Sequence, residues 1–159
     1  MVTKRGWVLA ALTMGGLSIG TSEAAAQVAL GAQALFGTEQ DFGLGGRLVT
    51  GLGTSQPLEF QGGFNLFFPE GPRDYWEING NVWYTFQTPA RGAPYAGGGL
   101  NIGRRSGGDH SVSDTQLGLN LGGGYRFNFT NTAPFIEARF TLAGHEQFVI
   151  AAGVLFGGF

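Results

Sequence analysis

The chain has no cysteine. That excludes a disulfide framework, a thiolate metal site and a lipid-modified cysteine anchor. Lysine is absent after Lys4, and charged residues make up only 13% of the sequence, about half the quarter that a soluble domain normally carries. So sparse a charge complement fits an outer surface that meets lipid rather than water. Long apolar runs are missing too: beyond the first residues no segment approaches the roughly 18 uninterrupted apolar positions of a membrane-spanning helix. The formal net charge of −2 is too mild to imply a nucleic-acid partner.

At the N-terminus the sequence reads as a secretory leader over residues 1–26. Lys4 and Arg5 form its charged start, residues 7–14 its short apolar stretch, and Ala24, Ala25 and Ala26 a small-residue cleavage site. The mature domain is expected to be 27–159, beginning at Gln27. An anchor helix is the weaker reading, because Gly15, Gly16, Ser18 and Gly20 interrupt the apolar run at once. Without the leader, seven basic and ten acidic residues remain.

What the mature part has in abundance is glycine, aromatic residues and alternation. Thirty glycines and 13% aromatics are spread over segments in which apolar residues recur at every second position, the period of a strand with two different faces. Eight such segments can be read. The first spans 28–36, with Val28, Leu30, Ala32, Ala34 and Phe36 on one face. The second sets Phe42, Leu44, Leu48 and Leu52 against Gly43, Gly45, Arg47 and Gly51. The third sets Leu58, Phe60, Phe64, Leu66 and Phe68 against Glu59, Gln61, Gly63 and Asn65. In the fourth, Trp76, Ile78, Val82, Tyr84 and Phe86 oppose Glu77, Asn79 and Asn81. From Trp76 to Phe86 a strand would run roughly 33 Å, or about 25 Å of height at a tilt near 40°, which places its aromatic ends in the two interfacial girdles of a membrane barrel.

The fifth segment, 94–102, is glycine-rich and leads into the most polar loop, 104–114. The sixth alternates Leu117, Leu119, Leu121, Tyr125 and Phe127 with Gln116, Gly118, Asn120, Gly122, Gly124 and Arg126, before a turn at 128–134. The seventh sets Ile136, Ala138, Phe140 and Leu142 against Glu137 and Arg139, and the eighth carries Phe148, Ile150, Ala152, Val154 and Phe156 on one face. In a bilayer, strands survive only in a closed sheet, since an open edge leaves backbone groups unpaired at several kcal/mol each. The expected fold is therefore all-β, an eight-stranded antiparallel up-and-down transmembrane β-barrel. An even strand number puts both chain ends on the periplasmic side and the loops after strands one, three, five and seven outside.

An eight-stranded barrel is only wide enough inside for side chains to fill it. The polar face carries Arg47, Glu59, Glu77, Arg126, Glu137 and Arg139 singly, and inside a barrel these charges need partners. They are expected to form a structural network of Arg–Glu pairs. A narrow channel through that lumen is the lesser alternative. The alternative from another class is a secreted or periplasmic soluble barrel with its faces reversed, in which Phe60, Phe64, Trp76, Phe140 and Phe148 would line a pocket for an apolar ligand.

Catalytic signals are weak. Asp109, His110 and Ser111 are consecutive on a glycine-rich tip, with no third group to orient a base. His145 beside Glu146 and the distant His110 make a poor metal signal. Gly97 to Gly99 lacks the lysine and the helix of a phosphate loop. No enzyme activity, metal or cofactor is expected.

Several stretches resemble the small outer-membrane β-barrel proteins, the opacity-type proteins and the membrane domain of the outer membrane protein A type. The matching stretches are Ala93-Pro94-Tyr95-Ala96-Gly97-Gly98-Gly99-Leu100, the Gly-Gly-Gly-Tyr-Arg-Phe ending at Phe127, Pro134-Phe135-Ile136-Glu137-Ala138-Arg139, and Ala152-Gly153-Val154-Leu155-Phe156. The resemblance implies a monomer embedded in outer-membrane lipid, a non-enzymatic scaffold that presents short surface loops in envelope integrity, adhesion or surface interaction. It also implies delivery by the barrel-assembly machinery, which would read the terminal aromatic Phe159. That residue is out of phase with Phe148, Ile150 and Phe156, a slip that Gly157 and Gly158 could absorb as a bulge.

Overall fold

The computed structural model describes residues 28–71, 73–107 and 113–157. The leader 1–26, the cleavage pair Ala26 and Gln27, the loop residues Asp109, His110 and Ser111, and Phe159 lie outside them. Eight strands follow one another: β1 (Val28–Gly37), β2 (Asp41–Gly51), β3 (Leu58–Phe67), β4 (Asp74–Thr85), β5 (Gly92–Ser106), β6 (Asp114–Phe127), β7 (Thr132–Leu142) and β8 (Gln147–Gly157). Each pairs antiparallel with its sequence neighbour, and β8 returns to β1, Ala29 opposite Gly157 and Gly37 opposite Val149, so the sheet closes. Closure leaves no unpaired edge between strands.

The alternation decides which way the sheet curls. On β4, Glu77, Asn79 and Asn81 are buried while Ile78 and Val82 are exposed; on β7, Glu137, Arg139 and Thr141 are buried while Ile136 and Phe140 are exposed. Large apolar side chains stand outward all round the barrel, Leu117 at 63% and Phe36 at 57% exposure among them. At about 25 cal/mol per Å² of apolar area, such a surface is untenable in water and favourable in hydrocarbon. The faces are thus those of a membrane barrel. The soluble alternative fails here, because Phe60, Phe64, Phe140 and the other residues assigned to its pocket stand on the outside.

Aromatic pairs mark both ends of the apolar band. Toward the end that carries the termini lie Tyr84 with Phe86 and Tyr125 with Phe127, their ring centroids 5.0 and 4.9 Å apart. At the far end lie Phe42 with Phe68, Phe64 with Trp76, and Phe140 with Phe148. Rings with a preference for the lipid–water boundary thus bracket the strands, as the Trp76-to-Phe86 spacing predicts.

Two expectations change. The fifth hairpin is longer than the apolar pattern indicates: Arg104 pairs with Thr115 and Arg105 with Asp114, so the polar loop contracts to 107–113. Backbone pairing needs no apolar side chain, and the ladder outruns the lipid band. The seventh strand starts at Thr132 and takes in Pro134, opposite Val154; the sequence places a turn there because proline weakens a strand signal. The ladder between β1 and β8 is regular as far as Gly157, whose φ of 134° is open to glycine and strained for other residues; Gly158 and Phe159, where the bulge is expected to end, lie outside the described residues.

The outward assignment has a direct test. Ile78 stands beside Phe64 and Ile102, and Leu119 beside Leu100. Ile78→Arg and Leu119→Arg should each cost about 2 to 4 kcal/mol if the site lies near the bilayer midplane, seen as loss of the folded, heat-modifiable band after refolding into vesicles. Unimpaired assembly of both variants would refute the assignment.

Candidate functional site

The polar chemistry of the barrel is concentrated in its lumen. Each strand places at least one polar side chain there: Gln33, Arg47, Asn65, Glu77, Asn101, Asn120, Arg139 and Gln147 from β1 to β8 in turn, all buried. Strand periodicity suffices to aim them, since each lies in phase with the inward face of its own strand.

Glu77, fully buried, is the hub. Its Oε1 accepts from Asn65 Nδ2 at 2.8 Å, from Asn79 Nδ2 at 3.0 Å and from the Arg139 guanidinium. Its Oε2 accepts from Asn101 Nδ2 at 3.0 Å and from Gln147 Nε2 at 3.2 Å. One carboxylate therefore ties together β3, β4, β5, β7 and β8. The network continues both ways. Gln33 Nε2 donates to Asn65 Oδ1 at 2.6 Å, and Arg47 Nε donates to Gln33 Oε1 at 2.6 Å. On the other side, Asn120 Nδ2 donates to Asn79 Oδ1 and Asn81 Oδ1 and its own Oδ1 accepts from Thr141.

The remaining charges also sit in pairs. Arg47 Nη1 lies 2.7 Å from Glu137 Oε2, with Nη2 at 3.3 Å from Oε1. Arg126 makes the same two-pronged contact with Glu59, at 2.7 and 3.0 Å, nearer the terminal end. The structure thus brings Arg47, Glu59, Glu77, Arg126, Glu137 and Arg139 into three ion pairs of balanced charge. Tyr95 links two of them: its hydroxyl donates to Glu137 Oε2 at 3.0 Å, and the Arg126 guanidinium stands 5.4 Å from its ring centre.

Apolar side chains close the lumen above and below this network, which the sequence reading did not foresee. Ala29, Val49, Ala133, Phe135 and Leu155 cluster near the terminal end; Leu35, Phe67, Tyr75, Val149 and Ala151 cluster near the far end. Trp83 is buried beside Tyr95 and donates to Gln61. The signal was present as phase: Phe67, Tyr75, Trp83 and Phe135 fall at the positions of their strands that carry the polar residues. Glycine makes the remaining room. A Cβ at Gly45 would collide with the Asn65 amide oxygen, and one at Gly99 with the Gly80 carbonyl; without those glycines the amides could not meet at the centre.

At the far rim, His145 packs edge-on against Tyr75, ring centres 5.6 Å apart, with Nε2 at 3.8 Å from Asp114 Oδ2. Burial first, then the nearby positive Arg105, hold its imidazole below the ordinary histidine pKa. No group of three or more His, Cys, Asp or Glu among the described residues is placed to hold a metal ion.

The lumen network has its own test. Glu77→Gln keeps the shape but leaves the Arg139 guanidinium buried without a counter-charge, and the expected cost is about 3 to 5 kcal/mol in urea unfolding from lipid vesicles. In the double variant Glu77→Gln, Arg139→Gln that charge is gone, so the second substitution should recover part of the loss. Additive losses would mean that the two residues are not coupled.

No family model matches the sequence, and no curated protein matches it. Solved structures do match in shape. The N-terminal β-barrel domain of Pseudomonas aeruginosa OprF superposes with a TM-score of 0.71 at 18% identity, over 83% of this chain and 97% of that one. Neisserial surface protein A gives 0.64 at 17% identity, over 83% and 96%. A major outer membrane protein of Thermus thermophilus gives 0.62 at 16%, over 84% and 100%. In strand number, closure and the inversion of its two faces, the chain has the fold of the small eight-stranded outer-membrane β-barrels.

Proposed function

We propose that the protein is an integral outer-membrane barrel acting as a non-enzymatic, non-conducting scaffold that holds short loops at the cell surface. The observation that carries this reading is the lumen: three ion pairs and a chain of amides are cross-linked through Glu77, between two apolar clusters. A path for ions would need those bonds broken, and each buried charge set free would be costly. The connections at the far end are short in sequence, 38–40, 68–73, 107–113 and 143–146, which limits how far any of them can reach from the strands that hold them. Export through the leader 1–26, cleavage between Ala26 and Gln27, and insertion by the barrel-assembly machinery through Phe159 complete the proposal.

Two measurements test it. The full-length chain, expressed in a two-membraned bacterium, should be recovered processed in the outer-membrane fraction and should change gel mobility only after boiling. Purified protein in planar bilayers should give no discrete conductance steps. Regular steps that survive further purification would replace the scaffold with a narrow channel, and soluble periplasmic protein without a mobility shift would remove the membrane assignment.

A further inference from the structure

The connection from β7 to β8 is held at its base and strained at its tip. Thr38 fixes the base: its backbone N–H donates to the Phe148 carbonyl at 3.0 Å, and its Oγ1 accepts from the Phe148 N–H at 3.2 Å. At the tip two consecutive residues are left-handed, Ala143 with φ of 62° and Gly144 with φ of 66°. Glycine takes that conformation freely, but alanine is strained in it, and such strain persists only where surrounding contacts impose it. Two contacts do so here. Gly144 lies so close to β6 that a Cβ on it would stand 2.9 Å from the Leu117 carbonyl oxygen, and His145 packs edge-on against Tyr75.

His145 docks with its side chain only 8% exposed, and its Nε2 is buried without a hydrogen-bond partner. The groups around the ring among the described residues are Tyr75 from β4, Arg105 from β5 and Asp114 from β6, with Glu146 next to it in the turn and the uncharged Gln147 opening β8. Behind Tyr75 lies Glu77, 3.5 Å from the phenol oxygen but paired with Arg139. Asp114 Oδ2 stands 3.8 Å from Nε2, beyond hydrogen-bond reach. The Asp114 side chain is 54% exposed and already accepts from Gln116, so solvent weakens its pull on the ring. Arg105, opposite both Tyr75 and Asp114 in the ladder, adds positive charge. A neutral ring fits this setting. An imidazolium would enclose an unmet N–H beside a guanidinium.

We propose that the turn 143–146 is an acid-released latch on the far rim: it stays docked while His145 is neutral and swings off Tyr75 when the ring takes up a proton. In the released turn the histidine titrates near its ordinary value of about 6.5, whereas docking holds the imidazole below that value. Docking is therefore favoured at neutral pH and loses ground as the pH falls through about 6.5, until the docked ring protonates as well. The strain at Ala143 works in the same direction, since release lets that residue return to an ordinary backbone conformation. Undocking bares Tyr75, a member of the far apolar cluster that closes the lumen, so acid changes the surface that the rim presents. The latch goes beyond the scaffold reading and holds whether or not the rim has a partner.

Because the chain has no cysteine, Glu146→Cys accepts a single nitroxide label on the turn, and the substitution also removes the one other titrating side chain of residues 143–146. In the full mature chain refolded in phosphatidylcholine vesicles, the label should pass from immobile to mobile as the pH is lowered from about 7.5 to about 4.5, in step with the His145 imidazole titration followed by NMR. Each unit by which docking lowers that pKa corresponds to about a tenfold rise in the ratio of free to docked turn. His145→Phe, which keeps a ring against Tyr75, should stay immobile throughout. His145→Ala should be mobile at every pH, and Arg105→Gln should blunt the transition. The heat-modifiable band, unchanged in all of them, separates loss of the latch from loss of the barrel. A label whose mobility stays constant or falls in acid, a transition that survives in His145→Phe, or an Arg105→Gln variant that behaves like the parent would each overturn the inference.

Discussion

The structure depends on the constraint that a charge enclosed by the barrel must be met by an opposite charge and by hydrogen bonds. Glu77 shows it most clearly. Its carboxylate has no contact with solvent, and six side chains on five strands converge on it. An isolated ion in such a place would be too costly to bury. Paired and fully bonded, it becomes a fastener between strands far apart in sequence, Asn65 and Gln147 among them. The same condition governs Arg47 with Glu137 and Arg126 with Glu59, and it leaves the lumen electrically neutral.

That interior complements an exterior which does no specific bonding at all. The outward side chains need only be apolar in the middle and aromatic at the ends, because lipid tails make no directional demands. Their burial comes from the bilayer rather than from another layer of protein. Specificity of register thus comes from within: a shift by one residue would bring Ile78 into the lumen and put Glu77 into hydrocarbon. Both errors are penalised at once, which explains how a chain with so many glycines still has one strand pairing.

The two ends of the barrel are not equivalent. The terminal end carries one exposed charge in its turns, Arg91, besides the Arg126–Glu59 pair. The far end gathers Glu39, Asp41, Glu70, Arg73, Asp74, Arg104, Arg105, Asp114 and Glu146. Polar chemistry that the lumen has locked away reappears there with unsatisfied groups. Such groups at a rim formed by four separate turns are where selection for a ligand can act without disturbing the strands.

The class of fold, the number of strands and the polar face of each were legible in the order of residues. Period-two alternation is a local property, and the lack of both charge and long apolar runs excluded the competing architectures. The same alternation indicated that Arg47, Glu59, Glu77, Arg126, Glu137 and Arg139 share one interior. It could not say that Glu77 belongs to Arg139 and Glu137 to Arg47, nor that Phe67, Tyr75 and Phe135 help to close the lumen, nor that Arg105 extends a strand. Those outcomes depend on the stagger of eight strands around a closed ring. Partners across the lumen, 62 and 90 residues apart for those two pairs, are set by the geometry of closure, and no window of neighbouring residues contains that information.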